Sequence, residues 1–331
     1  MITVTFLVPC YNVSGCVRRC VDSMLDTAVL DDIEILLIND GSTDNTSEVL
    51  HEYKKRYPSV VRVIDKANGG WGTVINLGIR EAKGKYIKEV DADDWVRTEN
   101  LKAYVSFLRQ HEIDYVATEF TEYITPENRY DHKTYQTAIY GQTMTMDDFW
   151  SRYPEAWAFP IHAITYRTAF VRAINLTVGD RYYCDFEYFI YPQPYIRSLY
   201  VLPIDISVYF RGSNGQSTSR QGYSRHYRDM AALSLRLAHF YHTIPETLNA
   251  RCKEHLFRTI TGTIALSYEL MMSPAYAGCT KGITAELKDY DSRLKDKSSA
   301  FYKAVGKMKK KGIPYILFWR NTRINLLKIK K

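Results

Sequence analysis

The sequence predicts an α/β fold with a mostly parallel central sheet, followed by a helical C-terminal region. Three observations carry this. Short apolar runs of strand length alternate with segments of helical spacing through residues 1–120, each run ends in polar or turn-forming residues, and from Tyr223 onward apolar residues recur three or four apart. Strand and helix alternating at this pitch make βαβ units, whose parallel strands are covered by helices on both faces.

The strands are VTFLVP (Val4–Pro9), IEILLIND (Ile33–Asp40), VVRVID (Val60–Asp65) and KYIKEV (Lys85–Val90). Helical spacing between them falls at about Ser14–Asp26, Thr43–Tyr57 and Trp71–Ala82, with a further helix from Thr98. Ser42 and Asp44 in DGSTDNT are candidate N-caps, and Gly84 stands just past a helix end. After Phe120 the regularity fades, and no internal repeat is present. The expected division is a first domain of residues 1–220, made of halves 1–120 and 121–220, and a helical region, 221–331.

The 331 residues suffice for a core without covalent staples. The six cysteines have no leader segment before them and no CxxC spacing, which reads as reduced thiols in the cytoplasm. Cys16 and Cys20 share a helix face, but with no His or second pair nearby they do not read as a zinc site. The formal charge of +7 is uneven: from Lys297 on there are 11 Lys or Arg and no Asp or Glu. Residues 1–296 therefore hold 33 basic against 37 acidic residues, a net of −4. An acidic body and a basic tail without a recognisable module argue against nucleic acid as partner, and no apolar run approaches the ~20 residues of a membrane-spanning helix.

Ligands of open parallel sheets sit beyond the carboxyl ends of the strands, and here those ends read PCYN, NDGSTD, DKANGGWG and DADD. In the last, Asp91, Asp93 and Asp94 crowd into four positions. Carboxylates that close raise one another's pKa unless a cation neutralises them. An Asp-x-Asp leaving a strand can point both groups at one divalent ion with positions left for phosphate oxygens; equally, acids there could favour the dipole of the helix at Thr98. The glycines of NGGWG, Gly70 among them, either bring backbone N–H groups to a phosphate or close a tight turn. Asp40 could accept from a base N–H or begin the DGSTD turn.

In order and spacing, VTFLVPCYN, EILLINDGSTDNT and NGGWGTVINLGIREAKGKYIKEVDADDWV resemble the family 2 glycosyltransferases, with their nucleotide-sugar-binding GT-A fold. The resemblance implies that Pro9, Tyr11, Asn12 and Asp40 hold the nucleoside, Asp40 meeting a uracil edge. It implies that Asp91 and Asp93 hold Mn2+ or Mg2+ on the diphosphate of a UDP-sugar donor, with Asp94 extending the motif. In RYYCDFEYFIYP it implies that Asp185 is the base of an inverting displacement, with Glu187 and then Asp180 behind it; the acid common before this Asp in the family is Cys184 here. Asp185 would also suit a helix cap.

Other candidates follow from residue type. YFRGSNGQSTS reads as a mobile lid, with Arg211 or Arg220 closing on the diphosphate. His162 and His226 are candidate acceptor contacts or metal ligands, and Trp71, Trp95 and Trp157 candidate sugar-stacking rings. The tail KMKKKGIPYILFWRNTRINLLKIKK suits an anionic membrane surface, which fits a glycan or lipid-linked acceptor and a peripheral place on the inner face of the membrane. The alternatives are a metal-dependent nucleotidyltransferase, for which PCYNVSG lacks the expected glycine-rich basic signature, and an inactive nucleotide-binding scaffold, which would not be expected to keep these acids.

Overall fold

The structure, a computed structural model, describes residues 1–125, 127–135, 139–153, 159–212, 219–248, 250–276 and 283–328. Trp157, Cys279, residues 213–218 of the expected lid and residues 329–331 of the tail lie outside the described residues. The chain divides into two compact units, Met1–Ser213 and Asn214–Lys331.

The first unit opens with β1 (Val4–Cys10), α1 (Val17–Met24), β2 (Ile33–Asn39), α2 (Thr46–Arg56), β3 (Val61–Asp65), α3 (Trp71–Glu81) and β4 (Tyr86–Glu89). These four strands run parallel, with β1 between β2 and β4 and β3 outside β2. Nearly every residue of β1 and β2 is buried, as expected of strands covered on both faces. Glu34 sits in this apolar context because it is fully engaged. It accepts from Thr5 Oγ1 (2.6 Å) and Lys83 N (2.8 Å) and pairs with Arg62 (2.6 Å).

The chain continues through β5 (Trp95–Val96), α4 (Thr98–Gln110), β6 (Tyr115–Ile124), β7 (Arg129–Lys133), β8 (Thr143–Met144), α5 (Met146–Arg152), β9 (Ile164–Arg167), α6 (Thr168–Ala173), α7 (Asp185–Ile190) and β10 (Leu199–Arg211). The sheet order is β3-β2-β1-β4-β9-β6-β10-β5, with β7 on β6 and β8 on β10. The result is a mixed α/β fold around a sheet of mostly parallel strands, into which β9 inserts antiparallel to both β4 and β6. The alternation gives no notice of that insertion, because β9 is four residues long and arrives after the regular repeat has ended.

Local details depart from expectation for identifiable reasons. α1 is shorter than the helical spacing at both ends, and α2 is entered through Asn45, neither Ser42 nor Asp44. Ser42 is spent on Asn12 N (3.0 Å), while Asp44 accepts from Thr46 N (3.0 Å) one residue further in. Gly84 is no left-handed cap: a Cβ there would meet Thr5 N at 2.4 Å, so the glycine is needed for close approach to β1.

The second unit is helical throughout its described elements: α8 (Arg220–Phe240), α9 (Ala250–Met272), α10 (Ile283–Lys297), α11 (Ser299–Gly306) and α12 (Tyr315–Thr322). Its core includes a polar knot, in which Asp291 accepts from Tyr268 Oη (2.5 Å) and Arg320 Nε (2.7 Å). No helix among the described residues is long and apolar enough to cross a membrane.

Candidate active site at the strand ends

The ends of β1, β2 and β3 meet at Asp40. Its buried carboxylate accepts from Gly69 N (3.0 Å) and Gly70 N (2.8 Å) and pairs with Lys66 Nζ, while its carbonyl accepts from Asn68 Nδ2 (2.9 Å). One acid thus shapes the whole glycine loop before α3. The N–H groups of Gly69 and Gly70, read from the sequence as phosphate donors, are taken here by Asp40. Gly70 has φ +86° and no room for a side chain, since a Cβ would meet Asp180 O at 2.5 Å. Asn12, at φ 54°, accepts from Thr43 N (2.8 Å) and so ties β1 to the DGSTD turn. Between them, Pro9 closes β1 against Ile38 and Tyr11 leaves its ring half exposed at the crevice.

The acidic turn after β4 is chemically different. Burial first, then the neighbouring Asp93, holds Asp91 above the ordinary carboxylate range; burial does the same for Asp93, and burial with Asp91 pushes Asp94 up strongly. Trp71 donates its side chain's hydrogen bond to Asp91, and Arg19 donates to the Asp93 carbonyl (2.6 Å) while its guanidinium lies 3.9 Å from the Trp95 ring centre. Asp94 serves the sheet instead, accepting from Phe210 N (2.8 Å) and so anchoring β10 to the turn.

Behind the turn, Lys88 and Glu89 are both buried in β4. Burial pulls Lys88 down to about 8, and its ammonium donates to the His162 carbonyl (2.7 Å). Burial and Asp91 drive Glu89 strongly upward, and no donor among the described residues reaches its two buried carboxylate oxygens. Burial and the neighbouring Asp91 thus favour the protonated form of Glu89.

The donor set fits a divalent cation of the oxygen-seeking kind. The carboxylates here are crowded, and Arg19 is the neighbouring cation that offsets Asp93. Mg2+ and Mn2+ favour such oxygen ligands. Among the described residues no three His, Cys, Asp or Glu side chains converge on one point. The chain would thus supply one or two carboxylates, with water or substrate oxygens completing the shell.

Asp185 is the first residue of α7, not its cap; Cys184 holds that position. The Asp185 carboxylate accepts from its own N–H and that of Phe186, and burial, helped by the charge of Asp91, raises it to about 6. Asp185 is close enough to Asp91 to feel its charge, so α7 begins beside the Asp-x-Asp turn. Glu187 is committed elsewhere, accepting from Gly179 N (2.6 Å) and Tyr191 Oη (2.9 Å), and Asp180 is exposed. The close approach of α3 needs glycine again, since a Cβ on Gly72 would meet Gly179 O at 1.6 Å.

His162 is stacked on Tyr209 (4.7 Å between centres), and burial pulls it down to about 3, which keeps its imidazole neutral. In the second unit, His226 marks a kink in α8 with Nδ1 3.3 Å from Asp229, and Arg220 donates to Ala275 O (2.6 Å). Arg211 pairs with Glu122 (3.1 Å). Sequence reasoning passes over Lys66, Arg19 and Glu89. The available signals are a lysine directly after β3 and a Lys-Glu pair inside an apolar strand ahead of an acidic turn; nothing local marks Arg19.

The sequence model of the family described as Glycosyl transferase family 2 matches residues 5–171. The uncharacterized glycosyltransferase EpsJ of Bacillus subtilis (strain 168) is 40% identical over 117 residues, 35% of this chain and 33% of that protein. A poly(ribitol-phosphate) beta-glucosyltransferase of Bacillus spizizenii is 35% identical over 113 residues, 34% of this chain and 18% of that protein. The matched stretch thus spans a third or less of these relatives. In structure, S. aureus TarS 1-349 in complex with UDP-GlcNAc superposes with a TM-score of 0.62 at 16% identity, over 97% of this chain and 88% of that one. A mannosyltransferase from Pyrobaculum calidifontis, in complex with GDP-Man and Mn2+, gives 0.52 at 14% identity, over 91% and 85%. These likenesses establish the shared GT-A-like fold.

Proposed function

The chain belongs to glycosyl transferase family 2, and on that premise we propose that it moves a sugar from a UDP-sugar to a hydroxyl of a glycan or lipid-linked acceptor, with inversion. The observation that carries this is the pairing of crowded, under-neutralised acids at Asp91 and Asp93 with a partly buried Asp185 raised to about 6 beside them. In this reading Pro9, Tyr11, Asn12 and Asp40 hold the nucleoside, Gly70 shapes the loop against the donor, and Asp91 and Asp93 are the ligands of Mn2+ or Mg2+. The cation, when bound, neutralises charge that develops on the departing nucleoside diphosphate. Trp71 orients Asp91 through its hydrogen bond, and the burial of Glu89 behind it disfavours a further charge at the turn.

Asp185 takes the proton of the acceptor hydroxyl as that oxygen bonds to the anomeric carbon. The bond from that carbon to the diphosphate breaks on the opposite face, which inverts the centre. A base raised to about 6 is ionised at neutral pH and stronger than a free carboxylate. A glycan acceptor is supported by the matching poly(ribitol-phosphate) beta-glucosyltransferase and by a Pasteurella multocida chondroitin synthase, 42% identical over 93 residues, 28% of this chain and 9% of that protein. The expected place of work is the cytoplasm, against the inner face of the membrane.

The test is calorimetric titration of UDP with Mn2+ and with a chelator, on the wild-type chain and on Asp93→Ala. Metal-dependent binding that the substitution abolishes supports the donor site. Absence of UDP binding by a folded protein under every metal condition removes the uridine donor, and GDP binding in its place would redirect the reading to another nucleotide sugar.

A further inference from the structure

The helical unit carries a surface that the transfer chemistry does not use. Across residues 307–328 an apolar and basic segment is sorted onto two sides. Tyr315, Ile316 and Trp319 of α12 are buried, Trp319 packing 6.5 Å from the Tyr268 ring, and Arg320 turns inward to Asp291 (2.7 Å). Left outside are Met308 (36% exposed), Ile313 (47%), Leu317 (42%) and Ile324 (51%). The other large apolar side chains exposed among the described residues, Met1, Tyr11, Tyr130 and Tyr182, are scattered through the first unit.

The cations are sorted as well. Glu269 is taken by Lys310 and Asp291 by Arg320, while Lys307, Lys309, Lys311 and Lys328 are exposed and no acid follows Asp296 in the sequence. A tight turn fixes the arrangement: Lys310 N donates to Ile313 O (2.9 Å), Ile313 N donates to Lys310 O (3.2 Å), and Lys311 and Gly312 take φ of 52° and 82°. Two left-handed residues in succession make a hairpin turn of the primed type. Lys309, Lys311 and Ile313 are exposed at this turn, and Leu317 is exposed in the first turn of α12 that follows it.

We infer that this face lies on an anionic lipid surface, Ile313 and Leu317 entering the boundary between headgroups and acyl chains while the lysines meet lipid phosphates. Exposed aliphatics within a cluster of lysines are what an interfacial element requires. A soluble polyanion would use the lysines alone and leave the aliphatics without a role. The inference deepens the membrane placement of the transferase reading by naming the face that makes it, and it is tested apart from sugar transfer.

The experiment is co-sedimentation of the full chain with vesicles of phosphatidylcholine, alone or mixed with phosphatidylglycerol. Two variants are compared: Ile313→Asp with Leu317→Asp, and Lys309→Gln with Lys311→Gln. All four positions are exposed, and thermal melts verify folding. The expected result is sedimentation only with the anionic vesicles, weakened about tenfold or more in each variant, with UDP-sugar hydrolysis in the absence of vesicles unchanged. Equal behaviour toward both vesicle types overturns the inference. So does wild-type binding by the aliphatic variant, above all if heparin competes fully, since the face would then be a plain polyanion site.

Discussion

Two corners of the same sheet edge treat their carboxylates in opposite ways. At the end of β2, Asp40 receives two backbone N–H groups and a lysine, so its charge is spent within the protein. At the end of β4, Asp91, Asp93 and Asp94 share a short turn in which burial raises all three, and neighbouring aspartate charge adds to it at Asp91 and Asp94. The difference teaches how to separate architecture from chemistry when both are written in aspartate. An acid supplied with donors holds a loop, whereas acids crowded without enough of them store unfavourable charge that an added cation relieves.

The comparison breaks most visibly at Asp91. Asp91→Ala should lower sugar transfer by about four powers of ten, the several kcal/mol of charge stabilisation attributed to a bound cation. The melting temperature of the metal-free protein should hold or rise, because one of several repelling charges is gone. Steady-state kinetics beside a thermal melt checks both, and a destabilised Asp91→Ala would show that the turn is architecture after all.

Next in size is Asp185→Asn, expected to cost about a thousandfold in kcat with UDP affinity retained. In the wild type, kcat/KM should fall as pH drops through about 6, where Asp185 takes up a proton, and the Asn variant should lose that limb. A variant that keeps full turnover would pass the base role to another group.

Asp40→Ala should act on stability first, by about 3 kcal/mol, because it strands Lys66 and two loop N–H groups in a largely buried corner. Denaturant titration measures it. If stability is unchanged, the charge of Asp40 is not spent within the protein and the contrast between the corners fails, whatever happens to UDP binding.

The smallest effect is on stability against pH. Asp185 is raised from 3.8 to about 6 on folding, so its contribution is fully present below 3.8 and is lost as pH rises to about 6. The raised acids of the turn act in the same direction. The metal-free protein should therefore lose stability over that interval, and Mn2+ should restore it at neutral pH. A flat melting profile without metal would mean that the turn is less strained than its crowding implies.

Much of this edge was readable in the chain. A parallel strand buried on both faces must be a short continuous apolar run, and such runs located β1 to β4 to within a residue at either end. The loops beyond them had to hold the polar residues, so Asp40, Gly70, Asp91 and Asp93 stood out by position as well as by type. That Asp91 and Asp185, 94 positions apart, sense each other's charge is a fact of packing. So is the choice between architecture and chemistry at each aspartate, because it turns on which donors arrive from elsewhere: Lys66 to Asp40, Phe210 to Asp94, and, among the described residues, none to the oxygens of Glu89. The same holds for the tail, whose composition announced aliphatics and lysines while only the burial of Tyr315, Ile316 and Trp319 decided which side chains stay outside. Periodicity and strand length act within a few residues of chain and are carried by sequence alone. The pairing of charges depends on neighbours that folding brings together, and that was left to the tertiary structure.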